Sequence, residues 1–369
     1  MKHCGIIALS ALSFLALSCS SGTRSVSGGS ITETLLLKDY RPVSVFKLPE
    51  HKPDHPKFTV IDMHSHSYLE DEAGVREWAE LLEKENIERV VINTMAHGDQ
   101  FEQIYDLYKG VSDKFELWCG FNMERWGEDD FVETALADLQ RCYEKGAKGV
   151  GELGDKGLGE QYCYYQSFTE CFPTGHFNDP CFAPLLDKCG ELGMPVNIHI
   201  GDPIWMYEPI DEHNDGMMNA AHWAIDLSTP GILDLDELVD TFTETLDKHP
   251  NTTFIAAHLL NYNHDYARLG EILDAHPNLY IDISARHIET CVTPRATAAF
   301  YKKYQDRIVF GTDNDPSPEM YNLNWRILET EDEHFYADRA YHWPLFGLGL
   351  SDEVLHKIYH DNAVKIMGH

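Results

Sequence analysis

From residue 58 onward the chain repeats one rhythm of polarity. A short apolar, β-rich run gives way to a loop, and the loop to a stretch whose apolar residues recur every three to four positions. The runs are FTVIDMHSH (58–66), RVVINTM (89–95), ELWCGFNM (116–123), GAKGVGEL (146–153), PVNIHIG (195–201), TTFIAAHLL (252–260), LYIDISA (279–285) and RIVFGTDND (307–315). Between them lie amphipathic stretches such as VREWAELLEKENI, FVETALADLQRCYEKG, LDELVDTFTETLDKH and PRATAAFYKKYQD. Continuous apolar strands separated by helices imply a parallel sheet covered on both faces. Eight such units are the count of a closed (β/α)8 TIM barrel, an α/β fold. An open doubly wound sheet is the alternative, but it would carry a Gly-rich phosphate loop where DMHSH stands.

The runs end in chemistry. In the first, the two-residue period of a strand puts Asp62, His64 and His66 on one face. Glu152 ends the fourth run, His199 the fifth, His258 the sixth and Asp313 the eighth, while Asp282 lies within the seventh. Any one of these alone reads as a hydrogen-bonded core residue. Together, polar groups at the carboxyl ends of successive barrel strands converge on one mouth, where barrel enzymes work. Imidazoles with carboxylates form a borderline N/O donor set that suits Zn²⁺ and also accepts Mn²⁺, Fe²⁺ or Co²⁺. Water on such an ion falls in pKa from about 15.7 to about 7, which supplies hydroxide at neutral pH. Asp313 would orient that water and shuttle its proton. Asp62 reads either as the acceptor that fixes an imidazole tautomer or as a structural core residue.

Charge and the amino terminus narrow the setting. The 369 residues hold 29 Lys+Arg against 61 Asp+Glu, a formal net charge of -32. Such a surface repels nucleic acid and anionic membrane faces, so neither is an expected partner. The opening MKHCGIIALSALSFLALSCSSGT has the Lys, apolar stretch and small residues of a secretory signal, too short for a spanning helix. LALSC resembles the lipobox of bacterial lipoproteins, in which cleavage leaves Cys19 lipidated; a plain cleaved signal is the alternative. The expected organisation is a leader over 1–18, a tether and extension over 19–56 and the barrel domain over 57–369. Export is expected, to the periplasm or cell surface, with the membrane touched only through an anchor at Cys19. Cys163, Cys171, Cys181 and Cys189 match no zinc-ribbon spacing and read as core residues or optional disulfides.

DMHSH, NIHIGDP, FIAAHLLN, FGTDND and the closing YHDNAVKI together resemble the amidohydrolase superfamily, in its amidohydrolase-related branch of TIM-barrel metal-dependent hydrolases and decarboxylases. HIGDPIWMYEPIDEHNDGMMNA is similar to an exported subfamily of that branch. The resemblance runs from about residue 57 to the carboxyl terminus. It implies that His64, His66 and Asp313 ligate the more buried metal. It implies that His199 and His258 bind a second ion or, in one-metal members, ligate the first and polarise the substrate. Many members carry a lysine on the fourth strand. KGVGELGDKG places Glu152 there instead, either bridging two ions or facing the substrate as an acid, so one or two ions are expected. The implied activity is hydrolysis of a C–N, C–O or lactone bond in a small molecule. The alternative on the same metal site is non-oxidative decarboxylation or hydration of an aromatic or unsaturated carboxylic acid.

Two connections exceed ordinary loop length: GDKGLGEQYCYYQSFTECFPTGHFNDP and GDPIWMYEPIDEHNDGMMNAAHWAIDLSTP, after the fourth and fifth strands. Loops this long at the catalytic end are lids or binding loops. Their Tyr162, Tyr164, Tyr165, Phe168, Trp205, Tyr207, Met217, Met218 and Trp223 either line a pocket for a ring or merely pack the lid. Trp205 and Tyr207 are the expected substrate contacts. His176, His213 and His222 read as surface or hydrogen-bonded residues. Arg286 either anchors a substrate carboxylate through its guanidinium fork or pairs structurally with Asp282. A homo-oligomer stays open.

Overall fold

Strand follows strand in chain order around a closed ring: β1 (Val60–Ser65), β2 (Ile87–Asn93), β3 (Phe115–Trp118), β4 (Val150–Asp155), β5 (Val196–Ile200), β6 (Phe254–Ala256), β7 (Leu279–Asp282) and β8 (Ile308–Val309). Parallel ladders join β1, β2 and β3, and join β4 through β8 in sequence. A parallel bridge from Cys119 to Val150 links the two sets. Met63 N donates to Phe310 O (2.9 Å) and Thr312 N to His64 O (3.1 Å), which closes β8 onto β1. The expected TIM barrel is the observed one. The computed structural model describes residues 30–157, 163–167, 170–173, 175–337 and 342–368. The leader, Cys19, Tyr162 and Phe168 lie outside these, as do the side chains of Tyr164, Tyr165, Trp223, His222, Cys163 and Cys171.

A helix packs behind each strand: α1 (Glu72–Lys84), α2 (Gly98–Val111), α3 (Phe131–Lys145), α4 (Ala183–Leu192), α5 (Leu235–Lys248), α6 (Tyr266–Ala275), α7 (Pro294–Lys303) and α8 (Pro318–Glu329). Local chemistry marks where several begin. Asp71 accepts from Gly74 N ahead of α1, and Asp234 with Glu237 forms a reciprocal capping box on α5. Val75, Trp78 and Leu82 of α1 are buried against the outer face of the strands, in the larger of two apolar clusters. The smaller cluster takes Ile61, Met63, Val91, Trp118, Ile255, Tyr280 and Val309 from six strands and plugs the barrel interior.

That interior plug corrects one expectation. Ile61 and Met63 belong to it, so Asp62 between them points away. The ladder of β1 on β2 shifts register between Asp62 and Ser65, and His64 leaves the strict alternation there. A second departure is at β6, which ends at Ala256 rather than near residue 260. His258, Leu259, Leu260 and Asn261 all take left-handed φ values, between 55° and 60°.

Residues 30–40 fall in a separate small unit with helical turns at Ile31–Thr34 and Leu37–Asp39. In the larger unit, the segment before β1 is pinned to the end of α8 and the chain that follows it. His51 donates from N (2.9 Å) and from Nδ1 (2.7 Å) to Asp332, and Lys57 N donates to Glu329 (2.9 Å). Cys181 and Cys189 carry free thiols, the first exposed and the second buried. Among the described residues no helix is long and apolar enough to cross a membrane.

Candidate metal centre

Four imidazoles meet at the carboxyl-terminal mouth of the barrel, and each has one nitrogen engaged on the outside. His64 Nδ1–H donates to Asp282 (2.8 Å), His66 Nδ1–H to Asn93 O (2.7 Å), and His258 Nδ1–H to Ser284 O (2.9 Å). His199 Nε2 meets the Gly201 carbonyl at 2.8 Å. The Lys156 ammonium is equally close to that nitrogen (2.8 Å) but also reaches Asp202 at 2.5 Å. The ammonium donates to Asp202, and with Nε2–H assigned to the Gly201 carbonyl the ring turns Nδ1 inward. Acceptors placed in this way fix each tautomer, here assigned from the hydrogen-bond network.

The second nitrogen of every ring therefore offers a lone pair inward. His66 Nε2 lies 3.1 Å from Asp313 and 3.3 Å from Glu152. His64 Nε2 lies 3.6 Å from Glu152 and 3.9 Å from Asp313. His199 Nδ1 and His258 Nε2 lie 2.9 and 3.3 Å from the other Glu152 oxygen. Two overlapping triads, His64–Glu152–His258 and His64–His66–Asp313, each bring their donor atoms within 4.8 Å of one another. The sequence-predicted ligands His64, His66, His199, His258, Glu152 and Asp313 thus converge.

Close backbone packing makes this possible. A Cβ at Gly311 would lie 2.8 Å from His64 Cβ, and one at Gly151 would collide with Asn93. The left-handed turn that carries His258 costs about 1–2 kcal/mol per residue. It is held by Asp282, which accepts from His258 N (2.9 Å), and by Asn261, which donates to Ile200 O (2.9 Å).

The donor set fits a divalent cation. His64 Nε2 is buried without a hydrogen-bond partner, an orphan that a Lewis acid would satisfy. Charge gives the same answer. Burial alone would raise Glu152, yet His64 and His199 outweigh it and hold the carboxyl well below the usual range. Burial also opposes charging His64, but Asp282 and Glu152 lift its pKa well above the ordinary value. For His66, burial is overcome by hydrogen bonds that the protonated ring donates to Asp313 and Glu152, and the pKa rises to about 9. His258 moves the other way, lowered by burial and by the neighbouring His199. Protons on the rings and a metal ion are therefore competing answers to one demand for positive charge.

Above the centre opens a cavity of about 1470 Å³ whose lining includes His199, His258, Asp313, Arg286, Lys156 and Met206. Several expectations are corrected here. Asp282 does not pair with Arg286; it holds His64, Asn197 (3.2 Å) and the His258 backbone. Asp62 fixes no imidazole, since its oxygens accept from Thr312 Oγ1 (2.6 Å), Thr312 N and His64 N. Trp205 and Tyr207 do not line the cavity, which Met206 between them does. Trp205 packs on Trp343, and Tyr207 Oη accepts from Asp202 N (3.3 Å). His176 donates to Asp155 (3.1 Å), the hydrogen-bonded role expected of it. Sequence reasoning missed Lys156, Asn261 and Tyr68, whose hydroxyl donates to Asp313 (3.2 Å). Of these only Lys156 carried a signal, four residues after Glu152 at a strand end.

Residues 116–368 match the family model described as amidohydrolase. The chain belongs to the amidohydrolase family. With its buried His/Glu/Asp centre, this amidohydrolase is a metal-dependent enzyme of the superfamily. No curated protein sequence gives a significant match. Solved structures with the same barrel include a candidate amidohydrolase from Staphylococcus aureus, at 15% identity, TM-score 0.53, covering 85% of this chain and all (100%) of that one. Another is 2,6-dihydroxybenzoate decarboxylase from Rhizobium, at 15% identity and TM-score 0.49, covering 84% of this chain and 99% of that one. A third is 4-oxalomesaconate hydratase from Rhodopseudomonas palustris, at 15% identity and TM-score 0.49, covering 84% and 96%. Likeness at this level concerns the fold.

Calorimetric titration of the metal-free amidohydrolase with Zn²⁺ or Mn²⁺ tests the centre. The raised pKa of His66 contributes stability that is complete below the ordinary 6.5 and lost as pH rises through about 9. Cation binding is expected to release that proton, and affinity to climb with pH across the same window. In Asp282→Asn, His64 loses its charged acceptor and affinity is expected to fall about 10–100-fold. Binding without proton release, or an unchanged affinity in Asp282→Asn, would contradict the assignment.

Proposed function

We propose that this amidohydrolase converts a small carboxylic acid by non-oxidative decarboxylation or hydration at a bound divalent cation, zinc or manganese by donor type. Arg286 carries the reading. It is 8% exposed and lines the cavity beside His258. Of its five N–H protons, Nε and Nη2 reach Asn261 Oδ1 (3.1 and 2.5 Å) and Nη1 reaches Ala285 O (3.2 Å). One proton on each terminal nitrogen remains, the pair that a carboxylate engages with both oxygens. The acid nearest to it, Glu289 (3.2 Å), has its pKa raised by burial, which weakens it as a counter-ion.

A bound ion supplies Lewis acidity toward a substrate oxygen or water. The remaining work belongs to the chain. Arg286 binds and orients the carboxylate. His258 Nε2 and Asp313 Oδ2, 3.8 Å apart, stand where a proton is moved, and Tyr68 fixes the other Asp313 oxygen. Met206 and Ile288 keep that part of the wall dry. Hydrolysis of a C–N, C–O or lactone bond is the second reading. It is favoured by Asp313, a carboxylate kept ionised beside His66 and placed at the centre to orient an attacking water.

Metal-loaded protein screened on aromatic and unsaturated acids is expected to release CO₂ or saturate a double bond. Arg286→Gln should lower kcat/KM about 100-fold, as loss of a charged bidentate contact does. Turnover of uncharged esters or amides alone, indifferent to Arg286, would overturn the carboxylate reading. Export with a lipid anchor remains our proposal, supported by the leader and LALSC. Cys19→Ser is expected to move the protein from the membrane to the soluble fraction, and its retention there would remove the anchor.

A further inference from the structure

We infer that the cavity holds a second carboxylate subsite, built on Arg326, and that its ligand is a dicarboxylic acid. The inference rests on Arg286 as the anchor for the first carboxylate.

Arg326 belongs to α8 and lines the same cavity as Arg286 and His258. Its Nε donates to Asp332 at 2.8 Å, and its guanidinium lies over the Phe335 ring, 3.8 Å from the centroid. Asp332 is only 3% exposed and also receives His51 N (2.9 Å) and His51 Nδ1 (2.7 Å). One buried carboxylate shared among three donors, together with an aromatic face, holds the guanidinium in a single place. Little side-chain freedom is then left to lose when a ligand binds.

Among the described residues, neither terminal nitrogen of Arg326 has an acceptor. These two nitrogens form the edge that matches a carboxylate. Lys52, next to His51, lines this part of the cavity as well. Its ion pair with Glu50 (2.8 Å) is exposed and so binds it weakly, leaving a mobile positive charge nearby. Apolar side chains flank both arginines: Ile288 two residues after Arg286, and Leu323 one turn before Arg326. A ligand with two carboxylates joined by an apolar spacer complements this lining. On a chain of net charge -32, two preorganised guanidinium groups in one cavity mark where a dianion is favoured over the repelling surface.

Isothermal titration of the metal-loaded protein with succinate, adipate, suberate and sebacate, against butyrate, hexanoate, octanoate and decanoate, tests this. At least one diacid is expected to bind about ten-fold more tightly than the monoacid of equal length, the worth of one added charged contact. Arg326→Lys keeps a cation opposite Asp332 but lacks the fork. It should melt within a few degrees of the parent and lose most of the diacid advantage. No advantage at any chain length, or an advantage that survives in a folded Arg326→Lys, overturns the subsite. Arg286→Gln separates the two readings. If it weakens hexanoate binding while no diacid advantage exists, only the Arg326 subsite fails. If hexanoate is indifferent to Arg286, the first anchor fails.

Discussion

Two carboxylates, Glu152 and Asp313, are pressed among four imidazoles at the barrel mouth, beneath the cavity. Glu152 is buried and Asp313 half-buried, and neither has a Lys or Arg partner within ion-pair distance among the described residues. Negative charge in such a place must be balanced. The imidazoles do so by taking up protons or by sharing a cation, and their outer hydrogen bonds decide which nitrogens are free to take part. Asp282, Asn93 O, Gly201 O and Ser284 O are as much part of the centre as the rings they orient.

The same demand explains where the backbone is contorted. Four consecutive left-handed residues after β6 are unfavourable for side chains other than glycine. They persist because surrounding groups over-determine them, with Asp282 holding the start of the turn and Asn261 its end. Asn261 also accepts from Arg286, so the turn that presents His258 fixes the proposed substrate anchor too. Metal site and carboxylate site share one piece of strained chain.

Much of this was legible before any coordinates. His64, His66, Glu152, His199, His258 and Asp313 are chemical residue types at strand ends, and barrel topology converts strand ends into a single mouth. What was not legible depended on faces and distant contacts. A two-residue period gave Asp62 the task of orienting an imidazole, but the register shift in β1 handed that task to Asp282. Trp205 and Tyr207 sit in a loop with no period to say which side chain faces inward, and Met206 does. The segment around His51 reads as linker by composition. Its role in the cavity wall depends on Asp332, which is 281 residues away in the sequence.

X-ray absorption spectroscopy at the edge of the bound metal addresses the centre most directly. A stoichiometric divalent ion is expected, with nitrogen and oxygen donors at about 2.0–2.2 Å and the outer-shell scattering of coordinated imidazole. A sulfur-containing shell, or a fully loaded protein whose ion shows no imidazole scattering, would contradict that expectation.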